Sequence, residues 1–464
     1  MIYLILIFSV LFFVLAWRRL DWAVMFLITA LPAYLIRFNI FGLPSTLLEA
    51  MVWIVFLVWL VKNFKKENKK IKIRYPFDRE IILLLLVAFV AAGVAGFSSS
   101  SLGIWKAYFF EPALFFIVVL NVMKGEKGRE KILWSLAVSA LAVSALAIYQ
   151  KFTGHLISNP LWAAENTRRI VSFFGYPNAV GLYLGPIVLM MTGWFFSAIT
   201  QARSNKIKTI FISLTIISSL LSIYFAKSKG ALMGVAVGLI LFGLMANKKI
   251  KWTTVVAIII LTVGIAAYPP AKDLAISNIT LTNKSGQIRK AGWADSWEML
   301  KDGRLITGAG LTNFQTKVAP YHTPGIFIKD YSDPDAQRKL VFNEAYRTAH
   351  WQPLEIYLYP HNIFLNFWSE LGLAGMLLFI WIIIKYFLIG VANYKLRAMS
   401  NKFINIGLVC AMVAIVVHGL VDVPYFKNDL AIMFWLLVAM VSIINLENKY
   451  GSFSKKIFLE SINN

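Results

Sequence analysis

Pro360-His361-Asn362-Ile363-Phe364-Leu365, running on to Glu370-Leu371-Gly372, sets a titratable ring where a long polar segment meets an apolar one. A free imidazole titrates near ~6.5, so His361 can act as a general base at neutral pH. The proton it takes could come from a sugar hydroxyl whose oxygen attacks an anomeric carbon. A histidine at an apolar helix end also serves simply as a cap or a headgroup contact. His361 is expected to start the helix. At roughly 100° per residue, Asn362, Asn366 and Ser369 share a stripe about 60° wide, which must face protein or water. Glu370 falls on the opposite side from His361 and suits a polar group on another element.

Cations are the second ingredient. Arg169, Lys227, Lys229 and Arg289 lie between apolar runs on the side where the other basic residues are scarce. A cation at a helix mouth suits a diphosphate, and arginine suits it bidentately. It can also snorkel to lipid headgroups. Lys229 stands in Lys227-Ser228-Lys229-Gly230-Ala231, where Gly230 permits close approach and a helix beginning near Ser228 points its amides at an anion. Arg289 precedes Trp293, Trp297 and Leu300, whose spacing makes one apolar stripe of a short interfacial helix. Gly308-Ala309-Gly310 reads as a turn. His418 and Asp422, spaced i,i+4, share a face. Asp422 at a helix C-terminus calls for a cation, with His418, Lys427 and a loop arginine as candidates. The pair reads as a brace at the mouth of the bundle, with a second proton-handling site as the sharper alternative. No metal site is expected: Asp333-Pro334-Asp335 reads as a turn, and the single Cys410 excludes an intrachain disulfide and a thiolate site. No cofactor is expected either.

The elements that must hold these residues are membrane helices. Of 464 residues, 59% are hydrophobic and 15% charged, a balance that leaves too little polar surface for a water-soluble core. Helices are expected at about 1–17, 21–37, 43–61, 79–97, 104–123, 131–150, 178–200, 207–226, 230–246, 252–268, 361–389, 403–423 and 429–446. That makes an all-α polytopic protein with 12–13 spans. The net charge of +23 is gathered in runs: Arg18-Arg19, Lys62 to Arg74, Lys124 to Lys131, Arg203 to Lys208, Lys248 to Lys251 and Lys395 to Lys402. Alternating the helices puts every run on one side, the cytoplasm by the positive-inside rule. Nucleic-acid binding would want a continuous basic surface instead, and is excluded. Arg18-Arg19 follow the first apolar run, the wrong order for a cleaved signal, so that run is expected to stay as a helix. Four regions follow: N-terminal spans (1–268), an extracytoplasmic cap (269–360) too long for a plain connection, C-terminal spans (361–446) and a cytoplasmic tail (447–464).

Four stretches resemble the O-antigen ligase and polymerase superfamily, bacterial membrane glycosyltransferases of the GT-C type. They are Arg169 with Phe173-Phe174-Gly175-Tyr176-Pro177-Asn178-Ala179; Ser228-Lys229-Gly230-Ala231; Arg289 with Trp293, Gly308, Gly310, Asn313 and Phe314; and His361-Asn362 with Leu365, Glu370 and Gly372. The likeness spans roughly residues 75–440. It implies a GT-C-like fold in the bacterial cytoplasmic membrane, with the active site on the extracytoplasmic side. It also implies a glycan donor on undecaprenyl diphosphate, a lipid or glycan acceptor, and transfer without metal or nucleotide. By the motif match His361 is the base or acceptor-orienting group, Lys229 and Arg289 hold the diphosphate, and Arg169 and Lys227 join them. Asn362, Glu370, His418 and Asp422 support the site. Lys229 departs from the family's arginine, keeping the charge and losing the fork. Ligase, polysaccharide polymerase and protein O-oligosaccharyltransferase share this donor chemistry. A lipid-linked glycan transporter would need polar groups near the midplane, and a cell-shape scaffold leaves the cations unexplained.

Overall fold

The computed structural model describes residues 2–40, 43–64, 75–200, 205–394 and 399–460. The basic residues at 65–74, 201–204 and 395–398 and the end of the expected tail, 461–464, lie outside the described residues. Among the described residues, nine helices are long and apolar enough to cross a membrane: Leu47–Phe64, Ser99–Val122, Gly125–Thr153, Pro177–Ile199, Lys206–Phe225, Lys248–Ala267, Ile363–Tyr394, Lys402–Gly419 and Asn428–Lys449. Shorter apolar helices occupy Tyr3–Arg18, Leu20–Thr29 and Lys229–Met245, and Asp78–Val94 forms another. Backbone groups in lipid must be satisfied within the segment, and a helix does this.

Among the differences from expectation, two have a local cause. The run expected as one helix over 21–37 stops at Thr29, because Pro32 cannot donate to the ladder; a 3-10 turn follows at Leu31–Leu35. Strand Arg37–Ile40 then pairs antiparallel with Leu43–Thr46, Arg37 opposite Thr46. The helix expected from 104 starts at Ser99, because the Ser98 side chain accepts from the Ser101 N–H, and it passes through a π-helical turn at Lys106–Phe110.

Burial separates centre from rim. Pro177–Ile199 and Asn428–Lys449 are 89% buried and Lys402–Gly419 is 78% buried, whereas Lys248–Ala267 is 0% buried. The first three form the axis of the bundle. The last touches it through Lys229–Met245, where a methyl added at Gly243 would collide with Thr254.

Residues 269–360 fold over one end of the bundle. Helices Pro269–Ile279 and Lys284–Lys301 come first, followed by short helical turns and an antiparallel pair in which Gly325 faces Pro353. Met299, Leu300, Ala309, Phe314 and Val318 give this cap its own small core. The apolar stripe of Lys284–Lys301 packs onto protein: Leu300 is fully buried, and Trp297 meets Trp368 edge-on with centroids 5.6 Å apart.

The cap is bolted into a broken helix. Gly372, inside Ile363–Tyr394, has φ 75° and ψ −178°, a conformation open almost only to glycine. The helical ladder stops there, and the cap supplies the missing partners. Leu373 N donates to the Ile306 carbonyl (3.0 Å) and Ala309 N donates to the Ser369 carbonyl (2.6 Å). Thr312 N donates to Glu370 Oε2 (2.7 Å), so Glu370 serves another element. A methyl at Gly372 would collide with the Ile306 carbonyl, and one at Gly308 would lie 2.6 Å from the Ser369 carbonyl. The Gly308-x-Gly310 turn and the Glu370-x-Gly372 motif are therefore two halves of one joint.

Candidate active site

Helix Ile363–Tyr394 begins two residues after His361. Asn362 caps it: its Oδ1 accepts from Phe364 N and Leu365 N, both at 3.0 Å, while its Nδ2 donates to the Leu420 carbonyl at 3.2 Å. The expectation that His361 starts the helix is thus corrected. His361 sits just outside, at φ 49°, in the left-handed region that costs a non-glycine residue energy unless its surroundings fix it. Tyr357 and Tyr359 meet its ring edge-on, with centroids 5.2 and 4.9 Å away. Asn366 and Ser369 are buried in protein, as their stripe required.

Behind the imidazole lies Asp422, buried past the end of the helix that finishes at Gly419. His361 Nδ1 faces its Oδ1 at 3.6 Å, an ion-pair contact beyond hydrogen-bond length. Burial alone would push the Asp422 carboxyl up; the facing His361 and the charge of His418 outweigh it and hold it at about 2. A carboxylate facing Nδ1 favours the proton there and leaves Nε2 as the acceptor. His418 Nε2 lies 4.0 Å from Asp422 Oδ2, and a methyl at Gly230 would come within 2.5 Å of the His418 ring. Gly230 thus admits a histidine. Lys427 takes no part in the pair: its Nζ sits 4.9 to 5.2 Å from the rings of Tyr34, Phe174 and Tyr176.

Arg169 reaches this network from behind. Asn178 Nδ2 donates to Asp422 Oδ2 at 3.1 Å, and Arg169 Nη2 donates to Asn178 Oδ1 at 3.3 Å. Arg169 Nε is spent on the Ala226 carbonyl at 3.1 Å.

In front of the imidazole is a cavity of about 490 Å³, lined by Lys229, Asn283, Lys284, Ser285, Ile288, Arg289, Tyr357 and His361. Lys229 is the first residue of helix Lys229–Met245, and its Nζ donates to Asn278 Oδ1 at 3.0 Å. Arg289, on the second turn of Lys284–Lys301, donates from Nη1 to Ser285 Oγ at 2.6 Å; its buried Nε has no protein acceptor. Burial pushes the Arg289 pKa down, and Asp422, Tyr357 and Tyr359 oppose that. A desolvated guanidinium with a spare donor, beside an ammonium group, is suited to an anion with several oxygens.

The structure thus brings Lys229, Arg289 and His361 to one cavity, with Asp422 and His418 behind it. It sets Arg169 in the supporting network and leaves Lys227 exposed at φ 53°, outside the lining. Asn362 and Glu370 position helix and cap. Sequence reasoning missed the flanking Tyr357 and Tyr359, two residues apart just before His361, and the bridging role of Asn178. Among the described residues no group of three His, Cys, Asp or Glu could hold a metal ion.

Apolar helices closed at one end by a polar cap define an all-α, multi-pass membrane protein. Residues 214–380 match the family model of O-antigen ligase. The family is generally one of glycosyltransferase-like ligases and polymerases. The matched stretch takes in Lys227, Lys229, Arg289, His361, Asn362 and Glu370; Arg169, Asn178, His418 and Asp422 lie outside it. No curated protein matches the chain.

Proposed function

We propose that the chain is a glycosyltransferase that moves a glycan from a polyprenyl diphosphate donor, such as undecaprenyl diphosphate, to an acceptor hydroxyl at the extracytoplasmic face of the bacterial cytoplasmic membrane. The observation that carries this reading is the single cavity shared by Lys229, Arg289 and His361, with Asp422 behind the imidazole. The acceptor O–H gives its proton to His361 Nε2 as its oxygen bonds to the anomeric carbon. The bond from that carbon to the diphosphate oxygen breaks, and its electron pair leaves on the diphosphate. Lys229 and Arg289 stabilise the charge that develops there. Cations already held in place need no reorganisation as the charge develops. Asp422 positions the ring and favours the imidazolium that forms.

The test is transfer by purified protein given a fluorescent polyprenyl-diphosphate oligosaccharide and candidate acceptors in EDTA. His361→Ala is expected to cut turnover by about 10²–10⁴-fold, the usual worth of a general base. Arg289→Ala should cost about 10²–10³-fold. Wild-type turnover in folded His361→Ala protein would overturn the reading. Movement of labelled lipid across a liposome without glycan transfer would replace it with transport.

A further inference from the structure

A second and larger cavity, about 750 Å³, opens beside the first and shares Asn283 and Lys284 with it. The geometry points to an oligosaccharide-binding trough here, holding the sugar chain of one substrate as it leads to or from His361. This inference rests on the transferase reading of the neighbouring cavity.

The trough is built to keep its shape. Gln287 stitches two walls together: its Nε2 donates to the carbonyls of Thr282 (2.7 Å) and Lys329 (2.8 Å), and its Oε1 accepts from Lys329 N (2.9 Å). Asn283 Nδ2 donates to the Ser277 carbonyl at 3.0 Å and ties in the third wall. Walls fixed by bonds to backbone need no ordering on binding. Its size is that of sites which enclose a ligand of several rings.

The lining suits sugars. Tyr331 is 58% exposed, with Lys329 Nζ 5.2 Å from its ring centroid. An open aromatic face packs against the C–H face of a pyranose, and the phenol end still bonds to water or hydroxyls. Asp273 and Asp330 offer carboxylate acceptors, while Lys284 and Lys329 offer donors. Hydroxyls both give and accept, so such a mixed lining satisfies them. The two carboxylates and two ammonium groups of the lining sum to no net charge, which disfavours a polyanion. Leu274 and Ile276 complete one edge. The first cavity, with its cations and no lining carboxylate, has the opposite character.

The test separates the two readings. Full-length purified protein is applied to an array of immobilised oligosaccharides carrying hydroxyl and N-acetyl groups, with no lipid or diphosphate present. Wild type and His361→Ala are expected to be retained equally on the same subset. Tyr331→Ala and Asp273→Ala, with unchanged thermal midpoints, should lose about tenfold in retention, the size of one aromatic or hydrogen-bonded contact. Failure of every oligosaccharide to retain wild type, or equal retention of wild type and both variants, overturns the trough and leaves the transferase reading to its own assay. Retention without transfer overturns the transferase and leaves the trough. In the transfer assay, a higher KM for acceptor alone in Tyr331→Ala assigns the trough to the acceptor chain; a higher KM for donor alone assigns it to the donor.

Discussion

His361 is held from three sides: by its left-handed backbone, by two tyrosine rings, and by a carboxylate that faces Nδ1. The carboxylate has a defined role in pH. The Asp422 carboxyl is held at about 2, below the free value of about 3.9. Its contribution to stability is therefore present above the free value and is lost as pH falls through the folded one. Between pH 5 and 9 Asp422 stays charged, and any activity change in that range belongs to another group. Asp422→Asn keeps the shape and removes the charge. We expect kcat to fall by up to about 10⁴-fold, the loss that follows when an amide replaces the carboxylate behind a reacting imidazole. The acid limb of the profile should also move to lower pH, because an imidazolium loses more beside an amide than beside a carboxylate. An unmoved profile with a lower kcat would make Asp422 merely structural. The pairing of His418 with Asp422 was legible in the sequence, because four residues on a helix is a fixed distance. The contacts from His361 and Asn178 were not, because they join segments 61 and 244 residues from Asp422.

Among the elements, the joint at Gly372 decides how the cap is held. Periodicity announced the helix that contains it, and the Gly-x-Gly spacing announced a turn. That the turn fills the break in the helix is a long-range fact without a local signal. Likewise, Pro32 could have warned that the segment 21–37 would not run through as one helix. Gly372→Ala adds a methyl where the Ile306 carbonyl already lies and forces a side chain into a glycine conformation. The conformational cost alone is about 1–3 kcal/mol. The expected result is a thermal midpoint lower by several degrees and faster proteolysis near residues 301–312. Gly264→Ala, where an added methyl meets nothing within 4 Å, is the control and should leave both unchanged. Equal behaviour of the two variants would mean that the joint does not hold the cap.

For the whole molecule, composition and charge carried most of the information. A chain 59% hydrophobic pointed to membrane helices, and each expected apolar run contains a helix, though among the described residues nine rather than 12–13 are long and apolar enough to cross a membrane. By the positive-inside rule we propose that residues 269–360 lie outside and the turn before Lys248–Ala267 inside. In a Cys410→Ala background, a cysteine at Thr348 should react with a membrane-impermeant maleimide on intact cells. A cysteine at Lys249 should react only after permeabilisation. The reverse pattern would invert the topology and with it the side on which transfer is proposed. The cap's fold was the part least open to sequence reasoning, since its short helices and three-residue strands are set by contacts with one another and with Trp368.

The helix Lys248–Ala267 behaves as a lever. It touches the bundle near Gly243 and Thr254 and none of its residues is buried, so in a bilayer its tilt is expected to follow the thickness of the surrounding lipid more than any side-chain fit. From Thr254 to Ala267 is about 20 Å of helix, and a change in tilt of about 5° moves the far end by about 2 Å. That end continues into Pro269–Ile279, whose Asn278 holds the Lys229 ammonium. If bilayer thickness sets that tilt, it also sets the width of the cavity beside His361.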